Sequence, residues 1–412
     1  MCTIQFLSDD PDWSVRTIMK ILLVNDTDKE FGGAEKYMFT LAKLLLENGH
    51  QVEIFGSQKF NTNLSYISRI YNISDCFRLT NLLKAFQPDI VHVHKINLAL
   101  SPSILRVIKR FNIPVVMTVH DFHYVCPDDW LIDNKDLPCY HGFNVKCVFS
   151  NCYRSKISWK YKGLRIYHVI SLLLHRTLLK KYVDQFIVPS NSLAQMMRGN
   201  LCVKNVSFVP NIIWLNSNLC NTPISDCKRL LFIGRLSKEK GAEYLINAMP
   251  KILECFPDTE LTLIGKGPEE HTLKNMVRKL GIERNVRFRG FVSEDNLAES
   301  YLQAELVVVP SFWAENNPIV CLEAMAHGRP VIASNLFGLS ELIDDEDIGT
   351  LFNPGDAVDL AHKIIAILSD FDKVQKMSAN SREKSLSFTS HQNHYDNIIK
   401  IYKNAIRQSC LK

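Results

Sequence analysis

The feature that most constrains this chain is a rhythm that occurs twice. Short apolar runs of three to five residues alternate with longer stretches of helical spacing. In the first half the runs fall at 21–24, 52–55, 90–93, 115–119, 185–188 and 207–209, with helical spacing over 34–48, 104–111 and 164–182. In the second half they fall at 229–233, 260–264, 286–289, 306–309, 331–333 and 349–352, with helical spacing over 242–255, 271–280, 295–303, 319–327 and 357–368. Runs with little period-2 alternation predict strands buried on both faces, and strands separated by helices predict parallel sheets. The expected architecture is α/β, with two doubly wound, Rossmann-like domains. In such folds ligands sit beyond the carboxyl ends of the strands, so the site is expected in the cleft where the two domains face each other.

A chain of 412 residues with 46% hydrophobic and 22% charged residues has room for two cores and is neither disordered nor fibrous. No uncharged apolar run approaches the ~18 residues of a membrane-spanning helix. Residues 1–18 carry Asp9, Asp10 and Asp12, lack the basic and apolar regions of a secretion signal, and are expected to be a loose extension. Residues 19–210 then form the first domain. Residues 211–228, rich in Asn, Ser, Thr and Pro, form a linker, and 229–385 form the second domain. The twelve cysteines include no C-x-x-C pair, which argues against a disulfide scaffold or a zinc ribbon. Cys126, Cys139, Cys147 and Cys152, near His123 and His141, are spaced unlike a zinc template, so no metal is expected. With no secretion signal, these thiols point to the cytoplasm.

Several polar residues stand where strands end. Gly32 and Gly33 follow the first strand and open a helix, where a ligand backbone can come close and an anion meets a helix start. His120 and Asp121 close the strand at 115–119. Arg235 and Lys240 lie five positions apart beyond the strand at 229–233, a fork and a point charge that could share one diphosphate. Gly267 sits in a tight turn at the corresponding place one strand later. Finally Glu315, Asn316, Asn317, Pro318 and Ile319 lead into a helix carrying Glu323. A carboxylate suits neutral sugar hydroxyls, and Glu323 falls on an otherwise apolar helix face, where burial without a partner would cost several kcal/mol. Each feature also has an ordinary reading as a turn, a solvated charge or a core histidine.

Taken in order, Gly32-Gly33-Ala34-Glu35, His120-Asp121, Gly234-Arg235 with Lys240-Gly241, Gly267-Pro268, and Glu315 with Glu323 followed by Gly328-Arg329-Pro330 resemble the retaining GT-B glycosyltransferases of glycosyltransferase family 4. The resemblance runs from about residue 19 to about residue 368. It implies a GT-B fold with a terminal helix, here 386–412, packing back on the first domain. It also implies an acceptor bound by the first domain and a nucleotide-sugar bound by the second. Carried over by position, Arg235 and Lys240 would bind the diphosphate, Glu323 the ribose and Glu315 the transferred sugar. Backbone groups around Phe291 and Val292 would meet the base, Gly32 and Gly33 would close on the diphosphate, and His120 would contact the sugar near its anomeric carbon. The family's metal-free members use Arg and Lys where others use a cation, and no Asp-x-Asp occurs here. One departure is Pro318, where many relatives have glycine. Proline has no N–H to offer the sugar, so Asn316 and Asn317 are expected to supply side-chain contacts instead. The resemblance thus implies a metal-independent retaining hexosyltransferase. A GT-B sugar-nucleotide epimerase or hydrolase, or a nucleotide-sugar-binding protein without catalysis, are the competing readings.

The net charge of +5 is unevenly divided. Residues 1–210 hold 25 Lys and Arg against 17 Asp and Glu, and residues 211–412 hold 23 against 26. No acidic residue occurs from 137 to 183, a stretch with Lys146, Arg154, Lys156, Lys160, Lys162, Arg165, Arg176, Lys180 and Lys181 among aromatic and aliphatic residues. Residues 146–181 are therefore expected either to rest on an anionic membrane surface or to form a solvated, partly core-packed helix. No nucleic-acid module is present. A membrane position at the inner face of the plasma membrane would suit a lipid-linked saccharide acceptor, and hence cell-surface polysaccharide or lipopolysaccharide synthesis.

Overall fold

A computed structural model of the chain describes residues 18–29, 32–57, 72–135, 137–148, 152, 159–214 and 223–410. The extension expected at 1–18 lies almost wholly outside the described residues, as do 215–222 of the expected linker and much of the basic stretch before residue 167.

Both series of apolar runs are parallel sheets. The first contains β1 (Lys20–Val24), β2 (Gln51–Phe55), β3 (Ile90–Val93), β4 (Val115–Thr118), β5 (Gln185–Val188) and β6 (Val206–Phe208), in the order β2-β1-β3-β4-β5-β6. The second contains β7 (Arg229–Ile233), β8 (Glu260–Ile264), β9 (Val286–Gly290), β10 (Leu306–Val309), β11 (Val331–Ser334) and β12 (Gly349–Phe352), in the order β12-β11-β10-β7-β8-β9. Successive side chains of one strand enter different cores, as two-sided burial requires. Ile21 and Leu23 face one core while Leu22 and Val24 face another; Leu231 and Leu230 divide in the same way.

Around the first sheet lie α1 (Gly33–Glu47), α2 (Ile73–Phe86), α3 (Ile104–Arg110), α4 (Trp159–Tyr182) and α5 (Asn191–Asn200). Around the second lie α6 (Ala242–Cys255), α7 (Glu270–Leu280), α8 (Glu294–Gln303), α9 (Ile319–Ala326), α10 (Phe337–Leu342) and α11 (Ala357–Leu368), followed by α12 (Phe371–Thr389) and α13 (His391–Cys410). The apolar pattern does not announce α2, α5, α10 or α12. In α12 the inward face includes Ser378, Ser381 and Ser385 beside Val374, Met377 and Phe388, so small hydroxyl residues occupy places where a hydropathy pattern expects large apolar ones. Serine fits there because α12 lies close against α9.

The terminal helix α13 returns to the first domain. Tyr402 Oη lies 2.7 Å from His92 Nδ1, Tyr395 Oη lies 2.8 Å from His50 Nε2, and His394 Nε2 lies 3.1 Å from Tyr37 Oη. Its Ile398, Ile401 and Tyr402 belong to the same core as Leu41 of α1 and Ile319 and Met325 of α9. One continuous apolar core therefore runs through both halves, and α13 is part of it.

Candidate active site

Glu315 and Glu323 stand on either side of the start of α9, and both are buried. Glu315 Oε1 accepts from Lys240 Nζ at 2.5 Å, Ser311 Oγ at 2.8 Å and Trp313 Nε1 at 2.9 Å. Burial pushes its pKa up, but the Lys240 charge and the three donors outweigh burial and hold it below the usual carboxylate value. Glu315 is therefore ionised. Lys240 reaches it from a short turn, Lys238–Lys240, ended by Gly241 at φ +69°. A Cβ on Gly241 would lie 1.9 Å from the Pro310 carbonyl oxygen, so only glycine lets this turn approach the end of β10.

Glu323 has partners within the protein. Its Oε1 accepts from Lys36 Nζ of α1 at 2.7 Å, and its Oε2 from Tyr301 Oη of α8 at 2.8 Å. The partners that so buried a carboxylate requires are, within the protein, a cation from the other domain and a phenol. Burial and the neighbouring carboxylate push the Tyr301 pKa well up, so the phenol remains a donor.

Asn316 and Asn317 are also engaged, and not by open space. Asn316 accepts from Ser190 Oγ, and its Nδ2 donates to the His120 carbonyl at 3.2 Å. Asn317 Oδ1 accepts from the Asn211 amide at 3.0 Å, and its carbonyl accepts from Asn211 Nδ2 at 2.8 Å. Both were expected as sugar contacts; here Asn317 ties the second domain to the linker, and Asn316 ties it to the first domain. Glu341 does the same, accepting from the Asn191 and Ser192 amides at the start of α5, each at 2.6 Å. A Cβ on Gly338 would lie 1.4 Å from the Asn316 carbonyl oxygen, so α10 can back this loop only with glycine there.

Arg235 is exposed, and its side chain makes no hydrogen bond or ion pair among the described residues. Its turn is bonded to the turn holding Gly267, because the Leu236 amide donates to the Lys266 carbonyl and the Glu269 amide to the Leu236 carbonyl. Phe291 is exposed and Val292 half-buried at the end of β9. Pro318 precedes α9 and accepts from the Cys321 amide at 3.0 Å. Gly32 leads into α1, and a Cβ on Gly33 would lie 3.7 Å from Ile319 Cδ1, so the glycine turn of the first domain rests against the start of α9.

His120 sits half-buried at the end of β4, with its Nε2 3.1 Å from His94 Nδ1. His92, His94 and His120 stack, and His92 Nε2 is 2.7 Å from Thr118 Oγ1. Burial lowers the pKa of His92 to about 3 and those of His120 and His394 to about 4, from 6.5. All three rings are neutral at pH 7. On acidification the unfolded chain takes up protons first, so stability is full above about pH 6.5 and falls as pH drops from there towards about 4. For His92 and His394 the loss is on the order of 1 kcal/mol each by about pH 5.5. Urea midpoints should accordingly be lower at about pH 5.5 than at about pH 7.5. His92→Gln should shrink the difference, and equal midpoints in the wild-type protein would rule it out.

Among the described residues, no group of three or more His, Cys, Asp and Glu is placed to hold a metal ion. His123 Nδ1 pairs with Asp129 at 2.8 Å, and burial raises the Cys126 thiol pKa. The pattern reading missed Lys36, Tyr301, Ser311, Asn211 and Glu341. Only Lys36 carried a signal, three residues after Gly33 on the helix that faces the cleft.

The chain matches two families of known proteins. Residues 31–216 match Glycosyltransferase Family 4, and residues 221–384 match Glycosyl transferases group 1. An uncharacterized glycosyltransferase of Methanocaldococcus jannaschii is 27% identical, over 91% of this chain and 95% of its own. Among solved structures, sucrose-phosphate synthase from Thermosynechococcus elongatus superimposes with a TM-score of 0.71 at 22% identity, covering 95% of this chain and all of the other. Anabaena HepE in complex with UDP gives 0.67 at 19%, covering 94% of this chain and 100% of that one.

Proposed function

This chain belongs to the family 4, group 1 glycosyltransferases of GT-B fold, and from that premise we propose a metal-independent transferase that moves a hexosyl group from a nucleotide-sugar to an acceptor hydroxyl with retention of configuration. The observation that carries this reading is the meeting of charges at one cleft. Lys240 pairs with Glu315 beyond β10, and Lys36 crosses from the first domain to Glu323. Arg235 lies exposed just beyond β7, the strand beside β10.

Departure of the nucleoside diphosphate breaks the bond from the anomeric carbon to a phosphate oxygen. Negative charge grows on that oxygen while the sugar becomes oxocarbenium-like. Arg235 and Lys240 stabilise the charge most in the transition state, which is what accelerates the step. The acceptor oxygen bonds to the same face, and its proton passes to the departing phosphate oxygen. Glu315 serves as a sugar ligand rather than a covalent nucleophile, because three donors already occupy one of its oxygens. Neutral His120 can hydrogen-bond a sugar hydroxyl without repelling the developing cation. Thermal stabilisation and hydrolysis assays with UDP-, GDP- and ADP-sugars test the donor class, beginning with UDP because HepE was solved with it. NMR of the product reads the anomeric configuration. Stabilisation by a donor with neither hydrolysis nor transfer would favour a binding protein without catalysis, no response to any donor would reject both readings, and inversion would reject the mechanism.

For the acceptor side we propose a lipid-linked saccharide reached from an anionic membrane surface. No helix among the described residues is long and apolar enough to cross a membrane. On α4, however, Ile170, Leu173, Leu174, Thr177, Lys180 and Lys181 are exposed, at spacings that place them on one face. Arg176 does not belong to that surface, since it is buried with its guanidinium over the Phe143 ring. Replacing Leu173 and Leu174 by aspartate should weaken sedimentation with phosphatidylglycerol vesicles at least ~10-fold, because each leucine contributes ~1.5–3 kcal/mol of burial. Equal sedimentation of variant and wild type would remove the surface from consideration.

A further inference from the structure

The order of the second sheet forces the connection from β9 to β10 back across β8 and β7. Helix α8 makes that return and packs against β7. On β8 and β9, Leu261, Leu263, Val286 and Phe288 face the inner core, so the alternate residues Glu260, Thr262, Arg287 and Arg289 face the other way. That strip is open to solvent, with Arg287 and Arg289 exposed and Glu260 and Thr262 half-buried. Its two strands carry the period-2 alternation that fully buried strands such as β3 and β10 lack.

Between this strip and α8 lies a cavity of about 460 Å³, lined by Arg229, Glu260, Thr262, Arg287, Arg289 and Ser300 among others. Three guanidinium groups and one carboxylate line it, and only two of the three reach that carboxylate. Glu260 pairs with Arg287 Nη2 at 2.6 Å and lies 3.8 Å from Arg229 Nε. Arg289 reaches only the Ser300 hydroxyl, at 3.5 Å, and has no carboxylate partner among the described residues. Like charges gathered on neighbouring strand positions oppose each other, and an anion placed among them relieves that repulsion. Guanidinium forks match phosphoryl oxygens two at a time, and the volume falls in the range of small-molecule sites. Arg229 opens β7, whereas Arg235 follows its other end, so the cavity begins at the end of the sheet away from the cleft.

We propose that this cavity is a second binding site, separate from the donor cleft, for a small phosphate-bearing molecule such as a sugar phosphate or a nucleotide. Helix α8 is the wall the two sites share, since Ser300 lines the cavity while its neighbour Tyr301 holds Glu323.

Inorganic pyrophosphate is the probe, titrated into the full chain by calorimetry and followed by thermal melting at constant ionic strength. Because the donor cleft offers Arg235 and Lys240 to the same anion, two double variants separate the sites. Arg287→Gln with Arg289→Gln should weaken one of two binding events at least ~10-fold and leave the other, a loss on the scale of one charged hydrogen bond. Arg235→Gln with Lys240→Gln should do the reverse. Arg287→Lys with Arg289→Lys keeps the charge and removes the forks, and should also bind weakly. A single binding event abolished by the Arg235 and Lys240 changes would overturn the proposal. So would binding undiminished in the Arg287 and Arg289 variants, or stabilisation that potassium chloride reproduces. The reading of the cleft as a transferase site does not depend on any of these outcomes.

Discussion

Replacing Lys240 by alanine is expected to lower turnover at least ~100-fold, the scale of losing one donor aimed at developing transition-state charge. The substitution has a second consequence, because Lys240 Nζ is also the cation that keeps buried Glu315 ionised. Without it a buried carboxylate retains only Ser311 and Trp313 as donors, which destabilises the loop as well as the chemistry. A double variant, Lys240→Ala with Glu315→Gln, separates the two effects. Its neutral amide should recover melting temperature relative to Lys240→Ala, while turnover stays low. Turnover near that of the wild type in Lys240→Ala would remove the lysine from the mechanism. Recovery of turnover together with stability would make its role structural.

The parts of this molecule that were legible in the sequence are those whose chemistry is local. Strands such as β3 and β10 are buried on both faces, so nearly every residue in them is apolar and their limits can be read directly. The edges of each sheet were harder. β2 and β9 have one face in solvent, and β9 carries Arg287 and Arg289 on it, which is how the cavity beside α8 arises. α12 was invisible for the opposite reason, since serines share its inward face with Val374, Met377 and Phe388. At the site, Lys240 and Glu315 could be named because each belongs to a motif of neighbouring residues. Lys36 and Tyr301 could not, because Lys36 meets Glu323 only where two domains close, and Tyr301 meets it only through the packing of α8 within the second domain. Asn316 and Asn317 were legible as positions, but their ties across the interface were not. Their polar side chains answer a need of the domain interface, which no pattern within one loop reveals.

That closure decides how a change at Glu323 is read. Glu323→Ala is expected to raise the donor Michaelis constant ~10- to 100-fold with a smaller effect on turnover, as for loss of a charged hydrogen bond to a bound ribose. Yet the same substitution strips Lys36 of its partner across the cleft, and weakened closure alone could also raise the constant. Lys36→Met distinguishes the causes, because it removes the tie and leaves the carboxylate with Tyr301. If Glu323 binds ribose, Lys36→Met should disturb donor affinity far less than Glu323→Ala. A donor lacking the ribose hydroxyls should then be penalised by the wild-type enzyme and by Lys36→Met, but not further by Glu323→Ala, since the group that would have met those hydroxyls is already gone. An unchanged Michaelis constant in a folded Glu323→Ala protein would refute the ribose contact. Equal effects from both substitutions would assign Glu323 to holding the domains together, leaving the ribose to be recognised elsewhere in the cleft.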